Sequence, residues 1–463
     1  MMRHVAIVVL AISMTACATR RPYVPAQVTP AAMVNADAAL VAQEPLDLRW
    51  WGQFEDPVLD ALIAQALDAN RDVRVAAARV QQARAFLDDA KLDRFPEVPV
   101  GASATRQDQV LPGFSDQPRV ITNYRAGFDA FWEIDLFGRV RSAIQAASAD
   151  AEAFAANLDD MRVIVAAEVA RNYYELRGLQ QQQAVAERSL ANQQETLRLT
   201  TVRRDNGIGE EQDVASAAAR VAAIESDLPP IRAAISQREH RLAVLAGERP
   251  GALTADLTPR AYPALSKAIA IGEPGSLLTR RPDVRAAERR VAAATGREGM
   301  AAADLYPRIT VTGFLGLLAG RGNLFGDADS RAYSVTPALS WAGFDLGSAR
   351  ARLRGAEAAT REAAAQYEQV VLLAVEEVEN SLVAYREQQR RLVALVEQAR
   401  ESTRAADIAR VRYREGVADF LSLLDAERTQ LQAENGVAEA EAGVFTSIIG
   451  VYKALGGVPA AAP

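Results

Sequence analysis

The stretch that most restricts this 463-residue chain runs from Asn123 to Arg141. Its even positions, Tyr124, Ala126, Phe128, Ala130, Trp132, Ile134 and Leu136, are all apolar. Asn123, Arg125, Asp129, Glu133 and Asp135 hold the odd ones, with Gly127 and Phe131 as exceptions. Alternation of period two sustained this long belongs to a strand with one apolar and one wet face. A strand crossing a bilayer needs about 9–11 residues, and this one has them. After Gly138 the alternation stops, and the 68 residues 139–206 contain no proline and one glycine, Gly178. As a helix rising ~1.5 Å per residue they would reach about 100 Å, several bilayer thicknesses. A membrane strand therefore leads into a very long helix.

The same frame occurs twice. Asn70-Arg-Asp-Val-Arg74 matches Arg281-Pro-Asp-Val-Arg285, and Phe95-Pro96 matches Tyr306-Pro307, at an offset of 211. Trp132, Gly138, Arg141, Gly207 and Ala217 match Trp341, Gly347, Arg350, Gly416 and Ala426 at 209. Matches kept in phase over this length identify an internal duplication, with one two-residue indel in the hairpin between. The first repeat, 47–257, reads as a helical pattern from Val58 to about Leu92, a β-hairpin over about 98–136, a long helix 139–206, a tip at Gly207 and a return helix 210–246. The second, 258–457, reads as helix 281–305, hairpin 308–345, long helix 348–415, tip Gly416 and return helix 418–455. The second long helix also covers 68 residues without proline, so both should end at one height. Pro229-Pro230 in the first return helix predicts a kink. Pro337, inside the last strand, needs a place where its missing donor is tolerated.

Four membrane strands cannot close a barrel, and open edges are not tolerated in lipid. Closed barrels begin at about eight strands. The chain must therefore oligomerise.

Composition leaves little for chemistry. The formal charge of −7 with no basic block excludes a nucleic-acid partner, and there are two histidines and one cysteine. His240 has no Cys or His at ligand spacing. No phosphate loop, nucleophile elbow or dinucleotide fingerprint is present, so neither a cofactor nor an enzyme activity is expected. Asp159-Asp160 and Glu376, Glu377, Glu379 read as a solvated or inter-rod face. No apolar run reaches 18 residues, as a transmembrane helix would.

The N-terminus reads as a targeting segment: Arg3, an apolar core Val5 to Ile12, then Met14-Thr15-Ala16-Cys17. It resembles a bacterial lipoprotein signal, which implies cleavage after residue 16, acylation of Cys17 and, with Ala18 following, an outer-membrane address. An ordinary secretory signal is the alternative. Two or more acyl chains would anchor firmly. Residues 17–46 are an Ala/Pro-rich tether and 458–463 a tail.

Five segments carry a further resemblance: Trp-Glu-Ile-Asp-Leu-Phe-Gly-Arg-Val-Arg (132–141), Leu-Ala-Val-Leu-Ala-Gly-Glu-Arg-Pro (242–250), Arg-Arg-Pro-Asp-Val-Arg-Ala-Ala-Glu-Arg-Arg-Val (280–291), Tyr-Arg-Glu-Gly-Val (413–417) and Tyr-Lys-Ala-Leu-Gly-Gly (452–457). With them the chain resembles the TolC-like outer-membrane efflux family, in particular its lipoprotein (NodT-type) branch. It departs from the family at Gly272-Glu-Pro-Gly. The resemblance implies a mainly α protein with a membrane β part, trimeric, with a 12-stranded β-barrel on a 12-rod α-barrel. It implies a passive exit duct for small amphipathic compounds. The partners would be a periplasmic adaptor (membrane fusion) protein, an inner-membrane RND-type transporter and outer-membrane lipid. A duct for type I protein secretion and a non-channel envelope lipoprotein are the alternatives.

Three groups of candidate site residues follow. Cys17 is the lipidation site. Arg203, Arg204, Asp205 and Gly207, with Arg412, Tyr413, Arg414, Gly416 and Asp419, form the two tips, read as a periplasmic mouth and adaptor contact. There Asp205 and Asp419 are expected to pair with Arg204, Arg412 or Arg414; the bland reading is a pair of solvated turns. Trp132, Gly138, Trp341 and Gly347 mark the junctions between strands and long helices. Arg125, Asp129, Glu133 and Asp135 read as wet lining only.

Overall fold

The computed structural model describes residues 33–37, 41–42, 49–111, 115–263, 269–270, 280–343 and 346–457. Cys17, the signal, most of the tether, Gly272–Gly275 and the tail 458–463 lie outside the described residues. The helices are α1 (Pro57–Ala69), α2 (Arg71–Leu92), α3 (Arg139–Asp205), α4 (Glu211–Leu245), α5 (Pro282–Ala303), α6 (Leu346–Arg414) and α7 (Phe420–Ala454). The strands are β1 (Val41–Ala42), β2 (Val100–Leu111), β3 (Ser115–Ile134), β4 (Ile269–Ala270), β5 (Arg308–Ala319) and β6 (Arg331–Ser340). The chain divides into two units, and α2, α3, α5 and α6 each give residues to both.

The first unit includes 79–155 and 286–369 and contains an antiparallel sheet in the order β2-β3-β5-β6. The register puts Tyr124, Phe128 and Trp132 on one face with Val311, Leu315 and Ala319, and Arg125, Asp129 and Glu133 on the other with Thr310 and Phe314. The apolar face is uncovered in a single chain: Val100, Leu315, Tyr333, Val335 and Leu339 are all more than half exposed. β2 and β6 are the edges, and Pro337 sits on β6, whose outer side has no partner strand among the described residues. The β3–β5 ladder stops at Tyr124 opposite Ala319, but the β2–β3 ladder continues to Leu111 opposite Ser115. Residues 115–123 of β3 therefore form a two-stranded ribbon with β2, roughly 30 Å long at about 3.4 Å per residue. The second hairpin instead turns through two short 3₁₀ segments, Gly322–Leu324 and Ala328–Ser330. Beneath the sheet, α5 lies against α3. A Cβ on Gly296 would come 2.8 Å from the Ala146 nitrogen, and Arg289 pairs with Glu152 at 3.0 Å.

The second unit includes 28–78, 156–285 and 370–463. Its core is aromatic. Trp50 stacks on Tyr452 at 5.4 Å, and Phe445, Tyr174 and Tyr262 form a mutually packed triangle of rings with centroids 4.4, 4.8 and 6.0 Å apart. The Trp50–Phe54 segment forms a 3₁₀ turn that delivers Trp50, Trp51 and Phe54 into this core. Gly178 permits the packing, since a Cβ there would stand 2.7 Å from that of Ala442. Arg177 is buried with no carboxylate partner among the described residues; it donates to the carbonyls of Leu257 (3.1 Å) and Thr258 (2.5 Å) and to the Tyr173 hydroxyl (2.8 Å).

Two expectations change. The single pattern from Val58 to Leu92 is two helices, broken at Asn70, whose Oδ1 accepts from the backbone N–H of Asp72 (2.8 Å) and Val73 (3.3 Å) as the cap of α2. α4 runs unbroken through Pro229 and Pro230. The long helices are 67 and 69 residues rather than equal, because α6 starts two residues before its expected first residue, Ser348.

Candidate functional sites at the hairpin tips and strand-to-helix junctions

Each long helix ends at a glycine in the left-handed region, Gly207 at φ 76 and Gly416 at φ 73. At the first tip the N–H of Ile208 donates to Arg203 O (3.0 Å) and that of Gly207 to Arg204 O (2.8 Å). At the second, Val417 donates to Arg412 O (2.8 Å) and Gly416 to Tyr413 O (3.0 Å). This paired closure satisfies carbonyls that a helix end would leave bare, and it needs a residue without a Cβ at the turn. The duplication is thus preserved down to individual hydrogen bonds.

Around those glycines the two tips differ. Arg204 pairs with Asp205 (2.7 Å) and Glu211 (3.1 Å), exposed contacts that hold little free energy. Arg203 reaches from one tip to the other: its Nη1 donates to Tyr413 O at 2.8 Å, and its guanidinium lies 4.7 Å from the centre of the Tyr413 ring. Tyr413 is buried against Phe420, Leu423 and Ala217. Asp419 makes no arginine pair among the described residues. Its carboxylate accepts from the backbone N–H of Ser422 (2.7 Å), which caps α7 and holds its pKa below the usual carboxylate value. Arg412 and Arg414 make no ion pair among the described residues. The structure therefore brings Arg203 and Tyr413 together, which the sequence did not single out as a pair. Of the expected acid–arginine pairs it forms only Arg204–Asp205.

At the junctions the duplication is equally close. The indole N–H of Trp132 donates to Arg94 O and that of Trp341 to Leu305 O, both at 3.0 Å. Each ties the end of a strand to the segment just after the preceding helix. Gly138 precedes α3 at φ 85, whereas Gly347 falls inside the first turn of α6 rather than before it. Asp135, expected as wet lining, receives the N–H of Val140 (3.2 Å) and of Arg141 (2.9 Å) and so caps α3, where the helix dipole favours a carboxylate. Glu133 forks onto Arg139 with two bonds of 2.7 Å.

The carboxylates read as a solvated or inter-rod face are mostly engaged. Asp159 binds Arg162 (3.2 Å) and Arg285 (2.8 Å); Glu377 binds Arg281 (2.8 Å) and Lys453 (3.0 Å). Glu379 accepts the backbone N–H groups of Val34 (2.7 Å) and Asn35 (3.0 Å). Burial pushes the Asp160 carboxyl up to about 6, helped by neighbouring Asp283 and against the pull of Arg281 and Lys453. No group of three or more metal-binding side chains occurs among the described residues. Nor is any described helix long and apolar enough to cross a membrane.

The comparisons agree with this geometry. The family model for outer membrane efflux proteins matches residues 62–248 and 274–457, one match in each repeat. A pyoverdine export outer membrane protein of Pseudomonas putida, OpmQ, is 32% identical over 444 residues, 94% of this chain and 93% of that one. The solved structure of the outer-membrane channel OprN superposes with a TM-score of 0.92 at 46% identity, over 95% of this chain and 99% of its own. The open state of the MtrE outer membrane channel of Neisseria gonorrhoeae gives 0.83 at 27%, over 95% and 98%. The chain belongs to the outer membrane efflux protein family.

Proposed function

We propose that this protein is the outer-membrane exit duct of a tripartite efflux pump. It would be a passive trimeric channel that receives small amphipathic compounds from a periplasmic adaptor and an RND-type inner-membrane transporter. The observation that carries the reading is the open four-stranded sheet with its uncovered apolar face. An isolated sheet of this kind is unstable in lipid, whereas three copies supply twelve strands and leave no edge. Cys17 would carry the acyl anchor. The tips around Gly207 and Gly416 would form the periplasmic mouth, with Arg204, Asp205, Arg412, Arg414 and Asp419 facing neighbours or the adaptor and the Arg203–Tyr413 contact joining the two tips. The native mass of the detergent-purified protein tests this: a trimer carrying lipid mass on each chain is expected, and a monomer overturns it. Deletion should raise sensitivity to amphipathic toxic compounds. Loss of a secreted protein with unchanged sensitivity would instead favour a protein-secretion duct.

A further inference from the structure

The wet face of the sheet has one row without side chains beyond a methyl. Gly101, Gly127 and Gly316 stand opposite one another across β2, β3 and β5, with Ala332 beside them on β6. Phe314, from the adjoining row, lies over it. A Cβ on Gly127 would stand 2.8 Å from Phe314 Cε2, and one on Gly316 would stand 2.9 Å from Phe314 Cζ, so the ring rests directly on the backbone of these two strands. The Arg125 guanidinium covers it from above, 4.1 Å from the ring centroid, and an ion pair to Asp129 holds that arginine in turn. An aromatic ring on a wet face would ordinarily project from the wall. Here both of its faces are occupied and it lies flat.

We infer that Arg125 clamps Phe314 flat on the Gly127–Gly316 seat and so keeps the ring out of the bore of the β part. This rests on the duct reading, since only a lumen gives the wet face a bore. The seat also explains why two glycines stand directly opposite each other in a membrane strand pair, where they add no side-chain packing. With the clamp removed, the ring is free to rotate about its side-chain bonds into the passage.

The test is polymer exclusion in planar bilayers, with neutral polyethylene glycols of graded mass added on the side of the sheet's loops. Being uncharged, they report width and not the lost charge. Arg125→Ala should lower the largest admitted polymer by at least one size step. Arg125→Ala/Phe314→Ala should restore it to the wild-type size or above. Substitutions at Gly127 or Gly316 press on backbone atoms at 2.5 and 2.2 Å and can fail to fold, so the arginine series decides. A wild-type channel whose cut-off is identical in all these variants overturns the inference and leaves the duct standing. A wild-type protein that conducts nothing overturns both.

Discussion

Asn70 and Arg281 occupy equivalent places in the two repeats and do the same job by opposite chemistry. Asn70 Nδ2 donates to Leu245 O at 3.0 Å; Arg281 Nη1 donates to Ala454 O at 2.6 Å. Leu245 and Ala454 are the last residues of α4 and α7, at the repeat's own offset. Each residue therefore closes the end of its return helix from the start of its repeat. Asn70 is neutral, almost fully buried, and uses its oxygen to cap α2 as well. Arg281 is nearly as buried but charged, so it needs Asp283 (2.7 Å) and Glu377 (2.8 Å), and Lys453 then adds to Glu377. A duplicated frame fixes where a tie must be made and leaves open how. The ionic tie places several charges where the neutral one places none.

The most direct way to break the comparison is Arg281→Ala. Removing the buried arginine leaves the Ala454 carbonyl bare and takes a partner from the partly exposed Asp283, while Glu377 keeps Lys453, a loss of about 3 kcal/mol. Urea unfolding should show a far lower midpoint, and a loss no larger than that of Asn70→Ala would sink the distinction. Next comes Asp160, whose counterpart at the same offset is the neutral Gln369. Its folded pKa, about 6, lies above the unfolded value near 3.8. The native state thus holds that proton more tightly, and raising the pH through this window favours unfolding. Asp160→Asn should therefore stabilise by roughly 2–3 kcal/mol at pH 7.5 and leave stability near pH 3.5 unchanged. Melting curves of both proteins across pH check this; parallel curves would remove Asp160 from the cluster. The smallest effect belongs to Asn70→Ala, about 1–2 kcal/mol for one cap and one buried carbonyl left bare. It should be independent of pH between 4 and 8, in contrast to the charged side.

The parts legible in the sequence were those fixed by local periodicity. Alternation marked β3, the proline-free runs marked α3 and α6, and Gly207 and Gly416 marked their ends, because turn geometry is decided within a few residues. The offset match of Asn70 with Arg281 was visible too, but not its purpose, since the carbonyls they tie lie 175 and 173 positions away. The break at Asn70 did leave a signal: an asparagine with Asp72 two residues on is an ordinary helix start. The Arg203–Tyr413 contact left none. It joins residues 210 apart, and neither is unusual for a helix end. Asp135 was assigned to a wall by its place in the alternation, when its nearness to Arg139 and the start of α3 mattered more.

The ribbon formed by β2 and the first half of β3 has one more consequence. Past Tyr124 no third strand of the same chain lies beside it among the described residues, and it carries charges on both strands, Arg106, Asp108 and Arg119 among them. A polypeptide loop carried that far from the sheet is a signpost for topology. Whichever compartment can reach it, by protease, antibody or phage, is the compartment into which the sheet opens.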